Sequence, residues 1–191
     1  MNSTRKRLFG ASIILFSAVL SACGGRSNEA DTQANTSPLA GMQGTYAVAC
    51  FGDLYNGPSG QSQQGTITIA APADSGSTIT VSVRLQSYVG STNCADSTLV
   101  LDATAYGHLV SKDTTKNYAD GSGNTVSARV ATVTYERLTV SKGAFSGTLP
   151  AIGATTDIAY VLRGNELYLS QGGRGADGLG GSLSTRPAVK Q

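Results

Sequence analysis

The chain of 191 residues has no tryptophan, a single histidine and few charged residues, which make up 14% of it. The scarcity of histidine limits acid–base chemistry, because a catalytic Ser-His-Asp set would have to use His108. No Gly-x-Ser-x-Gly turn is present to expose a serine nucleophile. We therefore predict no catalytic residue, no cofactor and no enzyme activity, and we expect His108 at a strand end beside Tyr106 and Leu109.

A basic segment that could bind nucleic acid is also missing. Three of the fourteen Lys and Arg, namely Arg5, Lys6 and Arg7, belong to a short N-terminal leader. The other eleven face twelve Asp and Glu and are scattered from Arg26 to Lys190. A single-stranded nucleic-acid platform needs cations interleaved with aromatic residues on one surface. Nucleic acid is therefore not an expected partner.

No apolar run in the sequence is long enough for a membrane-spanning helix, which needs about 20 residues. The segment Leu8–Leu20 is shorter and is interrupted by Gly10, Ser12 and Ser17. It follows the basic leader residues and precedes small residues, which is the three-part pattern of a secretory signal. We predict a signal peptide at residues 1–22.

The tetrapeptide Leu20-Ser21-Ala22-Cys23 ends this leader. It resembles the lipobox of bacterial lipoproteins, which implies cleavage before Cys23 and a lipid anchor on that cysteine. The family's sorting rule retains lipoproteins with Asp after the cysteine on the inner membrane, and this chain has Gly24. The resemblance therefore implies attachment to the outer membrane, where several acyl chains would hold the protein essentially permanently. The alternative is an ordinary signal that is cleaved after Ala22.

Only three cysteines occur in the chain. If Cys23 carries the lipid, Cys50 and Cys94 remain as a pair in an oxidising compartment, which predicts a disulfide. The alternatives are two buried thiols or a metal pair, but neither His nor a further Cys lies nearby in the sequence to complete a zinc site. We predict no metal site.

The residues after Cys23 divide into two parts. Residues 23–41 are rich in Gly, Ser, Asn, Thr and Ala, which is typical of a flexible tether with a reach of roughly 20–25 Å. Residues 42–189 are long enough for one domain with a real core. Apolar and polar residues alternate along much of this domain, most clearly over Ser77–Gln86, and no sustained helical stripe is present.

The alternating segments predict an all-β domain of eight or nine short strands in an antiparallel up-and-down barrel, with a β-sandwich as the alternative. In Val126–Ser141 the apolar phase slips, which predicts a bulge or bend near Val130–Ala131 and a break near Glu136, and hence two strands or one strongly bent strand. Two hairpins are expected to follow. One joins Leu138–Val140 to Phe145–Leu149, and the other joins Ile158–Leu162 to Leu167–Leu169 through Gly164-Asn165.

The segment Gly172–Gly180 matches the calcium-binding nonapeptide Gly-Gly-x-Gly-x-Asp-x-Leu-x at every position. That repeat binds calcium between successive turns of a β-helix, so one copy supplies only half a site. Asp177 is the one carboxylate between Glu166 and the C-terminus, whereas calcium takes six to eight oxygen ligands. We expect a mobile surface loop at Gly172–Gly181 that does not depend on calcium.

Two short motifs in the domain resemble those of lipocalins. Gly44-Thr45-Tyr46 is similar to the family's Gly-x-Trp, and Thr156-Asp157-Ile158 is similar to its Thr-Asp-Tyr turn, with Arg174 as a possible third motif. The resemblance implies a small apolar ligand inside the barrel. The Gly-rich β domain after Leu-Ser-Ala-Cys-Gly-Gly also resembles barrel domains of surface lipoproteins that bind proteins.

The expected function is accordingly a non-catalytic, lipid-anchored barrel that binds a small apolar molecule or a protein partner. A structural or assembly adaptor of the outer membrane is the first alternative. A hydrolase with an unrecognised site is the last.

Replacing Cys23 by alanine should release the protein from membranes or leave the leader uncleaved, because the lipid would have no attachment site. Membrane fractionation and the intact mass of the purified protein measure this, with Ser27→Ala as the matched control. A Cys23→Ala protein that keeps the wild-type modification mass and stays in the outer membrane would refute the anchor.

Overall fold

A computed structural model describes residues 39–52, 60–70, 78–120, 123–143 and 152–191, and nine antiparallel strands make up most of these described residues. Single-turn 3-10 helices lie at Ala40–Met42 and Asp96–Thr98. Within the described ranges, no helix is long and apolar enough to cross a bilayer. The strands are β1 (Gly44–Gly52), β2 (Gln61–Ala70), β3 (Thr78–Val89), β4 (Leu99–Ala119), β5 (Thr125–Lys142), β6 (Thr155–Arg163), β7 (Glu166–Arg174), β8 (Gly180–Leu183) and β9 (Ala188–Lys190).

The strands pair in sequence order from β1 to β7, and β9 then lies between β7 and β1. Because β6 also pairs with β7, the sheet closes on itself as an eight-stranded antiparallel barrel. The short strand β8 is additional and pairs with the distal part of β7. The predicted up-and-down barrel is therefore confirmed, and the sandwich alternative is wrong.

The barrel core begins before the predicted domain boundary at residue 42. Leu39 is 0% exposed and Met42 is 1% exposed, and both pack in the main core with Tyr46. At the other end of the chain, the backbone N–H of Gln191 donates to the carbonyl of Thr45 at 2.9 Å. The folded domain thus includes Leu39 and extends to Gln191, so the predicted tether 23–41 is too long at its C-terminal end. The signal peptide, Cys23 and the rest of the tether lie outside the described residues.

The segment Val126–Ser141 lies within one continuous strand, β5. The register with β4 shifts at Glu136, which confirms an irregularity there, although it is a bulge and not a break. The bulge or bend predicted near Val130–Ala131 has its extra residues on the neighbouring strand: the register shifts between Lys112 and Thr115 of β4, opposite Val130 and Arg129. The alternation of apolar and polar residues changes phase at Val130–Ala131 because β5 is buried on both faces there.

A second apolar cluster explains that double burial. Ala131 and Val133 pack in the main core, whereas Ala128 and Val130 face the outside of the barrel. There they pack with Leu179, which lies between β7 and β8, in a cluster that also contains Tyr118, Ala159, Val161 and Leu183. The β7–β8 hairpin therefore covers part of the outer surface of β4, β5 and β6.

The prediction of a mobile loop at Gly172–Gly181 is wrong. Gly172 and Gly173 belong to β7, Gly180 and Gly181 belong to β8, and a tight turn joins the two strands. In that turn the N–H of Gly175 donates to the carbonyl of Leu179 at 2.9 Å. The glycines make an ordered hairpin because it rests on the outer apolar cluster.

The predicted Gly164-Asn165 hairpin is confirmed. Arg163 pairs with Glu166 across a two-residue turn, and Gly164 has φ of 58°, which favours glycine at this position. The other predicted hairpin has its second strand, Phe145–Leu149, outside the described residues.

The disulfide Cys50–Cys94 is present and joins β1 to the segment that precedes β4, with the two Cα atoms 5.9 Å apart. The backbone N–H of Cys94 donates to the Ser62 hydroxyl at 3.1 Å, and Ser62 is fully buried. This hydrogen bond holds the backbone of Cys94 at a φ of 55°, a value that residues other than glycine rarely adopt.

The double substitution Cys50→Ala/Cys94→Ala should lower the free energy of unfolding by about 4 kcal/mol, since it removes a cross-link that closes a long loop of the unfolded chain. Urea denaturation without reductant measures the loss. As a control, reductant should destabilise the wild-type protein and leave the double variant unchanged. Equal unfolding midpoints for the two proteins would contradict a stabilising bridge.

Candidate binding site in the barrel lumen

The inside of the barrel contains a cavity of about 190 Å³ whose wall is mainly apolar. It exists because several inward positions carry small side chains. Gly65 on β2 and Ala103 and Ala105 on β4 face the lumen where branched residues would fill it. The rest of the apolar wall consists largely of aliphatic side chains from seven strands and the entering segment, namely Met42, Val48, Ile67, Ile69, Val81, Val83, Leu85, Leu109, Val133, Leu138, Ile158, Leu167 and Leu169.

The size of the cavity limits what it can hold. An apolar cavity of about 150 Å³ stays dry and binds benzene, whereas pockets for drug-sized ligands run to roughly 300–1,000 Å³. The lumen therefore suits a molecule a little larger than benzene.

Among the described residues, Arg84 and Arg186 are the charged residues of the cavity lining, and no carboxylate lines it. Arg84 lies between the inward-facing Val83 and Leu85, so its side chain points to the outside of the barrel. Arg84 is already paired. Its Nε and Nη2 donate to the two carboxylate oxygens of Asp102 at 2.9 and 2.6 Å. These hydrogen bonds raise the pKa of Arg84 and lower the pKa of Asp102. The charge of Arg84 is thus balanced on the outer face of the barrel, away from the lumen.

Arg186 has a different environment. Its guanidinium carbon lies 6.0 Å from the centre of the Phe51 ring, and Phe51 is 2% exposed and packs in the main core. The Ser184 hydroxyl accepts the N–H of Arg186 at 3.2 Å and donates to its carbonyl, which fixes the backbone of this segment. None of the ion pairs formed between described residues involves Arg186.

Three buried polar atoms have no hydrogen-bond partner among the described residues: the Tyr46 hydroxyl, the Ser111 hydroxyl and the Gln171 carbonyl oxygen. A buried polar group without a partner costs about 1–3 kcal/mol. Gln171 lines the cavity, so a bound molecule could satisfy its amide. Tyr135 also lines the cavity, and burial raises the pKa of its hydroxyl, which keeps the side chain neutral.

His108 lies within β4 and not at a strand end, so that part of the prediction is wrong. It is paired with Thr134 of β5, and its Nδ1 lies 2.8 Å from the Oε1 of Glu136. Leu109, the next residue, packs in the core, so His108 faces outward. The structure does not bring His108 to the cavity.

The lipocalin-like motifs occupy two regions of the barrel. Tyr46 is fully buried in the main core. Asp157 accepts hydrogen bonds from Lys112 and Thr132, and the Arg174 guanidinium donates to the Thr156 hydroxyl at 3.1 Å. The second and third motifs are therefore brought together where β6 and β7 diverge.

Asp177, the carboxylate of the calcium-like motif, is engaged by Lys116 at 2.7 Å. Its Oδ1 also accepts the N–H of Leu179 at 3.1 Å. The hydrogen bond from Lys116 lowers the pKa of Asp177, so the carboxylate stays ionised. Across the described ranges, no group of three or more His, Cys, Asp and Glu side chains could hold a metal ion.

Sequence reasoning missed the residues that define the lumen. The alternation in β4 could have placed Ala103 and Ala105 on its inner face, since both share a phase with Leu101. Arg186 lies in a segment without alternation, so no sequence signal assigned it to the cavity.

Comparison with protein-family models, curated proteins and solved structures finds no match for this chain.

Millimolar calcium should leave the melting temperature unchanged, because Lys116 already neutralises Asp177. Asp177→Asn should lower the melting temperature slightly, with the same value in calcium and in chelator. A ligand that binds only the folded state at 100 times its Kd would add about 2.7 kcal/mol. A calcium-dependent rise that Asp177→Asn abolishes would contradict this expectation.

Proposed function

We propose that this protein is a lipid-anchored, non-catalytic barrel that binds a small apolar molecule in its lumen. The observation that carries the proposal is the cavity of about 190 Å³ inside a closed barrel. A core of this size normally packs without voids larger than a water molecule. An apolar space maintained by small inward residues therefore favours ligand binding over a purely structural role.

The binding strength follows from the area that the ligand would bury. A ligand that buries about 200 Å² of apolar surface would gain roughly 5 kcal/mol. A gain of about 5 kcal/mol by itself corresponds to a Kd of about 0.2 mM. Association consumes part of this gain, so the expected Kd lies in the millimolar range. Such a protein would hold its ligand reversibly, as a carrier or sensor does.

The pattern of the N-terminal leader supports a location in the bacterial envelope. The resemblance of Leu20-Ser21-Ala22-Cys23 to a lipobox supports an outer-membrane anchor on Cys23, and the tether would hold the barrel above the lipid. The lipocalin-like motifs agree with a ligand in the lumen. The disulfide Cys50–Cys94 fits an oxidising compartment.

A protein adaptor is the second candidate. Three large apolar side chains are exposed near one end of the barrel, where β3 and β5 end and β4 begins: Val89 at 43%, Val100 at 45% and Val140 at 41%. If they contact a partner, Val100→Lys should reduce the recovery of envelope proteins cross-linked to this chain in its native membrane. An unchanged cross-linking pattern would contradict this second function.

Ala105→Phe should abolish ligand binding, because the ring would occupy the lumen. Thr139→Phe is the matched control, since it adds the same ring to an exposed position on the neighbouring strand, where Thr139 is paired with Thr104. Indole and 1-octanol are the probes, and calorimetric titration of the full chain held in an amphipathic polymer measures binding.

We expect the wild-type protein and Thr139→Phe to bind with equal affinity and Ala105→Phe to show no binding. Thermal unfolding of each variant tests whether it is folded. If Ala105→Phe fails to fold, the smaller Ala105→Leu replaces it and should weaken binding. A wild-type protein that binds neither probe, or a filled variant that binds both unchanged, would refute lumen binding.

A further inference from the structure

The cavity combines an apolar wall with an unbalanced positive charge. Of the two arginines in its lining, Arg84 points its side chain outward to Asp102, and the exposed Arg186 forms none of the ion pairs between described residues. An apolar molecule without charge would leave this arginine unused.

The charge of Arg186 lies close to the lumen as well as to the surface of the barrel. Its guanidinium lies over Phe51, whose ring is almost fully buried in the main core. The hydrogen bonds between Ser184 and the backbone of Arg186 hold the segment that carries it. The charge is therefore placed where an apolar ligand body would meet solvent.

The amide of Gln171 adds a second polar group to the same cavity. Its carbonyl oxygen is buried and has no partner among the described residues. Rotation of the amide by 180° would present N–H donors at this position instead. A ligand with a polar head could satisfy this group, whereas a hydrocarbon could not.

From these observations we propose that the lumen ligand is a small anionic amphiphile, a carboxylate with an apolar body in the cavity and its head at Arg186. Arginine is suited to this role because its planar guanidinium matches a carboxylate with two parallel hydrogen bonds. This inference rests on the proposed function, since it names the chemical class of the lumen ligand.

Octanoate and 1-octanol are matched probes, because they have the same chain length and differ in the charge of the head. We expect the wild-type full chain, in the amphipathic polymer at neutral pH, to bind octanoate about tenfold more tightly than 1-octanol. Arg186→Gln should remove this preference by weakening the binding of octanoate about tenfold. Arg186→Lys should retain part of it, because the charge is kept.

Arg137→Gln is the matched control for the loss of one positive charge. Arg137 also lies over an aromatic ring, with its guanidinium carbon 3.9 Å from the centre of Tyr106, but it does not line the cavity. The preference for octanoate should survive in this variant. The preference for octanoate should also decrease as salt is added, since salt screens the exposed charge of Arg186.

The outcomes separate this inference from the function on which it rests. Equal binding of octanoate and 1-octanol, with both lost in Ala105→Phe, would overturn the anionic ligand and keep lumen binding. A preference that persists in Arg186→Gln or disappears in Arg137→Gln would also overturn it. Failure of both probes to bind the wild-type protein would refute the proposed function itself.

Discussion

The structure depends on the closure of the sheet by β9. This strand of three residues pairs with β1 through Tyr46 and Ala47, and with β7 through Glu166 and Leu167. An open sheet would expose a row of unpaired backbone groups at each edge and one wet apolar face. The small number of pairs that β9 makes is reinforced by the hydrogen bond from Gln191 to Thr45. The lumen exists because these few contacts at the C-terminus join the first strand to the seventh.

Closure alone would not leave a cavity, because an eight-stranded barrel is just wide enough for side chains to fill it. The space comes from the distribution of side-chain size along β2 and β4. Gly65, Ala103 and Ala105 face the lumen in the middle of the barrel, while Tyr46 and Met42 pack the end where the chain enters. Filling is therefore uneven, and the unfilled part is apolar on almost all sides.

Alternation of apolar and polar residues was sufficient to predict the barrel, because most strands have one dry and one wet face. It failed where β5 is buried on both faces, since Val130 lies under the β7–β8 hairpin and Ala131 faces the core. The same hairpin was predicted as a loop, because glycine content predicts turns and Leu179 alone does not reveal the surface that it covers. The disulfide followed from cysteine number, but Arg186 required the fold, since no local pattern relates it to Phe51.

The two apolar clusters have different consequences for a ligand. The outer cluster is covered by the β7–β8 hairpin, which the ion pair between Lys116 and Asp177 holds in place. No ligand is needed to cover it. The inner one keeps an empty volume, a buried amide at Gln171 and an arginine without an acidic partner among the described residues. An anionic amphiphile, as proposed above, would fill the volume with its body and bring its charge to Arg186. That ligand class is more specific than an apolar lumen by itself, and it rests on Arg186, because Arg84 points its side chain outward to Asp102.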